Sequence, residues 1–481
     1  MEDINSTAGG TSIKQRRMED QAFTTGTQAV AEPKPALGKI DAIAVIVGIV
    51  VGAGIFRTPS LVAANTSGST MFLTAWVLGG LVSLIGALCY AELSTTFPNA
   101  GGDYHFLTRA FGKKLAFLFA WARMSVIQTG SIALLAFIIG DYATQIYSLG
   151  AFSSVLYAAL VVVLLTSINI IGISVGAGAQ KLLTALELLG ILIVIAAGLF
   201  SASSEPDFTT IAAADTANSA NSLGLAMVFV LLTFGGWNEA AYISAELRSG
   251  RKGMAYVMVI SILIITAIYV LMNISYLNVL GMSGMAQSDA VAADLMRLTY
   301  GEGGLVLIGL IVAVAALTSA NATIFTGART NYALGRDFPV FGLLGKWNAK
   351  TSSPVNAFLV QGGIALALIG LGFFTRNGFE TIVEYTAPVF WFFLLLVGIA
   401  LFVLRHKEPQ RHRPFRVPLY PFTPLVFCFT SAYLLYSSLV YTGLGALVGV
   451  AVLLLGVLLL LALPSLNKLL KVNDKEIPGI K

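Results

Sequence analysis

Apolar runs of about 18 residues or more recur between Lys39 and Pro464, each long enough to cross about 30 Å of hydrocarbon as a helix. Short polar links separate them, such as FPNAGGDYH and SSEPDFTTIAAADTANSAN. The alternation predicts twelve spans, near 39–63, 70–97, 115–140, 153–173, 180–201, 221–247, 254–279, 303–334, 355–373, 380–405, 420–441 and 443–464. The chain therefore reads as an all-α polytopic membrane protein. Residues 1–38 and 465–481 are polar, and read as tails outside the bundle. No cleavable signal peptide is visible ahead of the first span.

Two spans interrupt their own pattern. The first carries VVGAGIFRTPS, with Gly52 and Gly54 at its centre, and the sixth carries LLTFGGWNE, with Gly235 and Gly236. Glycine weakens a helix by roughly 1 kcal/mol relative to alanine. Inside hydrocarbon, every backbone group that such a break releases needs another partner. The two breaks lie five spans apart, at equivalent places of two inverted halves, 39–201 and 221–405, with helices 11 and 12 at 420–464. Paired interruptions of this kind point to a binding site at mid-bilayer. Close helix packing through small residues is the competing explanation. The matched placement, each break followed by an aromatic residue, favours binding.

Composition agrees with a membrane protein. The chain is 57% hydrophobic and 11% charged, against about 25% charged in a soluble domain. The net charge of +5 does not form a nucleic-acid-binding patch, because the basic residues lie between spans. Lys14, Arg16, Arg17, Lys34 and Lys39 precede the first span, and Arg109, Lys113, Lys114, Arg248, Arg251, Lys252, Arg405 and Arg413 fall in even-numbered links. Arg297 and Arg376 are exceptions. This asymmetry predicts that both termini are cytoplasmic. Cys89 and Cys428 both fall in spans, and the three histidines, His105, His406 and His412, lie outside the bundle core. No nucleophile–base or metal-ligand constellation is visible, so an enzyme is not expected, nor a bound metal or other cofactor.

Four motifs in order carry a family resemblance. They are GAGIF at 52–56, CYAELSTTFPNAGGDYHFL at 89–107, FGGWNEAAYISAEL at 234–247 and NATIFTGAR at 321–329. With them the chain, from about 38 to 440, resembles the amino acid–polyamine–organocation superfamily, in particular its L-type branch of amino-acid transporters and their prokaryotic relatives. The resemblance implies the leucine-transporter-type fold, five plus five inverted helices with two extra.

On that fold the breaks acquire a use. Amides around Gly52, Ala53, Gly54 and Ile55 suit a carboxylate, and loose carbonyls near Val50, Leu232 and Gly235 suit an ammonium. An α-amino acid carries both charges on one carbon. The resemblance further puts Leu232 where a gating phenylalanine is common and makes Asn238 a pocket-lining residue. Phe234 and Trp237 stand as aromatic walls and gates, or as packing. Arg57 is a candidate outer gate charge, and Arg123 and Glu246 are structural or cytoplasmic-gate charges. Glu239 stands where tyrosine is common. It either faces the cavity and favours a cationic side chain, or bonds the broken helix end.

Ionisable residues inside spans are functional candidates. Glu187 occupies a position where relatives place a lysine, near Thr318 and Ser319, which match a sodium-ligating hydroxyl pair. It is the candidate for coupling to sodium or a proton, unless Lys181 or a neighbouring helix satisfies it. No chemistry is assigned to Glu92 or Asp103.

The function expected is secondary active transport of amino acids by alternating access, as an exchanger or an ion-coupled system. A polyamine or cationic amino-acid transporter is the alternative, and a transport-dead sensor a third reading. A plasma (inner) membrane protein is expected, acting as a monomer or weak homo-oligomer. The link DYATQIYSLGAFSS lacks the cysteine through which animal L-type chains join a heavy chain, so that partner is not expected.

Overall fold

A computed structural model describes residues 37–201, 219–247, 250–288, 290–371, 378–443 and 446–473 of the protein. Residues 1–36 with Lys14, Arg16, Arg17 and Lys34, most of the fifth link, Arg248, Arg376 and residues 474–481 lie outside this set. So do the side chains of Arg251 and Lys252.

In chain order the helices are α1 Lys39–Val50, α2 Thr58–Ala64, α3 Ser69–Thr96, α4 Asp103–Phe111, α5 Lys113–Ala122, α6 Gln128–Ile146, α7 Ser153–Ile171 and α8 Ile173–Phe200. They continue as α9 Ser219–Thr233, α10 Gly250–Gln287, α11 Val291–Asp337, α12 Val355–Leu371, α13 Gly378–Lys407, α14 Phe422–Thr442 and α15 Ala446–Asn473. Among the described residues there are only isolated β-bridges, one of them joining Leu37 to Leu247.

Among the described residues, ten helices are long and apolar enough to cross a membrane. They are apolar nearly all round, and many of their large side chains, such as Leu182, Leu192 and Phe429, face outward. That distribution suits a bundle solvated by hydrocarbon. Two helices run past the apolar stretches that locate them in the sequence. In α10 the chain turns at Gly281 (φ 64°) and in α11 at Gly301 (φ 62°), both in the left-handed region open to glycine. Helix continues on the far side of each turn through residues too polar to register as a span.

The centre of the bundle is α1, packed against α8, α10 and α11. The 3₁₀ segment Trp237–Ile243 that follows α9 also lies on α1, and α10 lies along α3. The aromatic centre joins Trp76, Phe234 and Tyr269, with Phe234 and Tyr269 ring centroids 4.8 Å apart.

Candidate functional site

The first interruption follows Val50. Val51 leaves helical geometry, Gly52 is extended (φ −93°, ψ −160°), and a 3₁₀ turn Ala53–Phe56 leads through Arg57 into α2. Ala53 and Gly54 head that turn, where leading amides have no acceptor within the helix. Gly52 is required by crowding, since a Cβ there would lie 2.7 Å from Ser319 Oγ. At the second interruption, α9 ends at Thr233 and the chain reverses through Gly236 (φ 110°, ψ −19°) into Trp237–Ile243. Any side chain at Gly236 is strained by that φ and would meet Ile49 Cγ2 at 2.5 Å.

The two breaks are neighbours. Gly54 faces Thr233, and Gly236 faces Ile49 and Val50. Tyr269 of α10, fully buried, fastens them together: its hydroxyl donates to the Val50 carbonyl (2.6 Å) and lies 2.9 Å from that of Thr233. Tyr276 donates to the Ile55 carbonyl (3.3 Å). Ser319 donates to Gly48 (3.0 Å) and approaches Ile49 (3.4 Å), so α11 caps the carbonyl end of α1. Released carbonyls inside a bundle must be satisfied somewhere. Here phenol and serine hydroxyls on the neighbouring helices satisfy them.

The remaining sequence candidates divide into three groups. Ile55 and Phe234 are buried, Phe234 against Trp76 and Tyr269. Leu232 is 40% exposed, and Arg57 is exposed in the turn before α2. On the other flank of the second break, a narrow cleft with a cavity volume of about 20 Å³ is lined by Leu231, Gly235, Trp237, Asn238, Phe390 and Trp391, among others. Trp237 is packed there against Tyr90 and Phe427, with centroids at 5.2 and 6.1 Å.

Glu239 is spoken for. Its carboxylate accepts from Arg123 at 2.5 Å, both side chains buried. Neither sequence reading of Glu239 had this partner, which is 116 residues away and reaches it from the π-turn Arg123–Ile127 between α5 and α6. Glu246 is held by Arg329 through two bonds of 2.7 and 2.9 Å. Glu92 takes Arg405 through bonds of 2.8 and 2.5 Å, and the Val417 amide at 2.7 Å.

Glu187 is different. It is fully buried in α8, and neither carboxyl oxygen has a hydrogen-bond partner among the described residues. Lys181 pairs with Asp41 instead (2.9 Å), which removes it as the residue that satisfies Glu187. Thr318 lies beside the carboxyl but donates back to the Val314 carbonyl (2.8 Å). Tyr269 also lies within electrostatic reach of Glu187. One phenol therefore adjoins both breaks. The sequence offered no sign of Tyr269, because a tyrosine in an apolar helix is unremarkable until its hydroxyl is seen to meet a carbonyl.

The comparisons with known proteins agree with this architecture. Residues 37–462 match the family model described as amino acid permease. The b(0,+)-type amino acid transporter 1 of Mus musculus is 30% identical over 440 residues, covering 89% of this chain and 88% of the relative. The cystine/glutamate transporter of Homo sapiens is 28% identical over 412 residues, 84% of this chain and 81% of that one. The serine/threonine exchanger SteT of Bacillus subtilis (strain 168) is 28% identical over 428 residues, 87% of this chain and 95% of that one. With the match running through both interrupted helices, the chain belongs to the amino acid permease family.

Proposed function

We propose that this protein exchanges amino acids across the membrane by alternating access, gripping the α-carbon zwitterion between its two interrupted helices. The observation that carries the reading is the junction at Tyr269, which holds the carbonyl ends of α1 and α9 against one another. Each carbonyl at the two helix C-termini keeps a second lone pair to accept from an ammonium, while the amides heading Ala53–Phe56 attract a carboxylate. The activities for which the relatives are named, serine/threonine exchange among them, support exchange as the mode.

In this reading the ten long helices, the broken α1–α2 pair and α12 make twelve spans in a five-plus-five inverted arrangement with two extra helices. Both termini are cytoplasmic and the membrane is the plasma (inner) membrane. The chain works without a disulfide-linked heavy chain, since the link DYATQIYSLGAFSS offers no cysteine for one. Glu187 is the coupling residue. An unpaired carboxylate in the bundle interior is costly, so it holds a proton or a sodium ion, with Thr318 and Ser319 at hand as oxygen ligands. Glu239 faces Arg123, which weakens the polyamine or cationic alternative.

Counterflow in proteoliposomes, run over a panel of amino acids and polyamines, tests the reading. Labelled amino acid accumulates against unlabelled internal amino acid. In Gly236→Val, strain of about 1–2 kcal/mol plus the Ile49 clash lowers the rate tenfold or more while the protein stays inserted. No counterflow with any amino acid overturns the transport reading; full counterflow by Gly236→Val overturns the site.

A further inference from the structure

Beside the second break lies a buried cluster of polar side chains, outside the junction at Tyr269. Five elements contribute to it: Tyr90 of α3, Asp103 at the first position of α4, Arg123 of the π-turn, Glu239 and Tyr242 of the 3₁₀ segment, and Thr330 of α11. All are buried. Arg123 bonds Glu239 and lies 4.2 Å from the centroid of the Tyr242 ring. The phenols of Tyr90 and Tyr242 lie against the Asp103 carboxyl, and Thr330 lies against Tyr242, while Asp103 Oδ1 and Arg123 Nε lack a well-formed hydrogen bond. Buried polar atoms are nearly always satisfied, and a proton on the Asp103 carboxyl would give its unpaired oxygen a hydrogen to donate. The formal charges do not balance either: two carboxylates, Asp103 and Glu239, share one guanidinium.

The geometry points to a proton site in this cluster, at which Asp103 takes up a proton from solvent when this side of the transporter closes and returns it on opening. The reading rests on transport by alternating access and adds a linkage to pH. When Asp103 is protonated, Arg123 and Glu239 form a neutral pair and the acid O–H serves as a donor among the hydroxyls. When Asp103 is ionised, it competes with Glu239 for Arg123 and leaves a net negative charge enclosed.

Asp103 lies in the link between α3 and α5, outside the membrane-spanning stretches. Burial pushes its carboxyl from the ordinary 3.8 up to about 7. Arg123 opposes the rise and Glu239 adds to it. The sign follows. A group whose affinity for protons is raised by closing favours the closed form fully below about pH 4, and that favour is lost as pH rises to about 7. Over that window the closing equilibrium falls by up to about tenfold per pH unit, and above it the dependence is flat.

The test uses the full-length protein in proteoliposomes at fixed sodium, with counterflow and the carboxyl C=O infrared band both followed from about pH 4 to about pH 8. The wild-type band is expected to disappear with a midpoint near pH 7, and counterflow to change over the same window. Asp103→Asn removes both changes but retains counterflow; Tyr242→Phe keeps the band and moves its midpoint. An Asp103→Asn protein that keeps the wild-type pH profile and infrared transition overturns the proposal. So does a transition that vanishes in Glu187→Gln and survives in Asp103→Asn. A titrating band in a protein with no counterflow at all leaves the proton site standing and overturns the transport reading instead.

Discussion

Glu246 and Glu187 are both fully buried carboxyls in the helical bundle, and their surroundings are opposite. Glu246 sits in the fork of Arg329, whose guanidinium also stacks on Phe325 with its carbon 3.8 Å from the ring centroid. Glu187 has a helix of leucines on its own side and no partner for either oxygen among the described residues. Burial alone therefore does not separate structural charges from working ones; the state of their hydrogen bonds does. A charge kept for architecture is neutralised within the protein. A charge kept for transport must be left for an ion that comes and goes.

The largest expected effect tests the structural member. Glu246→Gln leaves Arg329 buried without a counter-charge, which destabilises by about 3–5 kcal/mol. Thermal unfolding in detergent measures it, and replacing both partners by apolar residues recovers most of the loss. A Glu246→Gln protein as stable as wild type would erase the contrast with Glu187.

A smaller stability effect is expected from Glu187, proposed above as the coupling residue. Glu187→Gln breaks no hydrogen bond present here, so unfolding shifts by less than about 1 kcal/mol. Accumulation driven by an imposed sodium or proton gradient is lost, whereas counterflow, which needs no gradient, survives. Undiminished gradient-driven accumulation in Glu187→Gln would take the acid out of the coupling scheme.

The smallest effect sets the floor of the scale. Lys113 and Asp337 pair at 3.5 Å with 62% and 29% of their side chains exposed. Solvent screens that pair, so Lys113→Ala changes stability by no more than about 0.5 kcal/mol. A larger change would show that the outer ion pairs belong with Glu246.

The two breaks show how far local sequence reaches. Gly52, Gly54, Gly235 and Gly236 were legible because a weakened helix is a local property, written in residue type and position. Ten of the apolar spans were legible for the same reason. Yet the same reading stopped α10 and α11 short, because hydropathy marks where lipid is, not where helix ends. Glu239 was ambiguous because its partner Arg123 arrives from another helix. Lys181 was a natural guess for Glu187, being six residues away on α8, but it reaches Asp41 of α1 instead.

The sequence by itself determined that this protein is a membrane bundle of the permease family with two deliberate weak points. Apolar length, glycine placement and ordered motifs are properties of neighbouring residues and survive without coordinates. Only the tertiary structure decided that Tyr269 spans both weak points, that Arg123 claims Glu239, and that Glu187 is buried with neither oxygen partnered among the described residues. Those facts depend on which side chains meet across distant helices. In a bundle whose surface is apolar nearly everywhere, the polar contacts that carry function are few, and packing alone selects them.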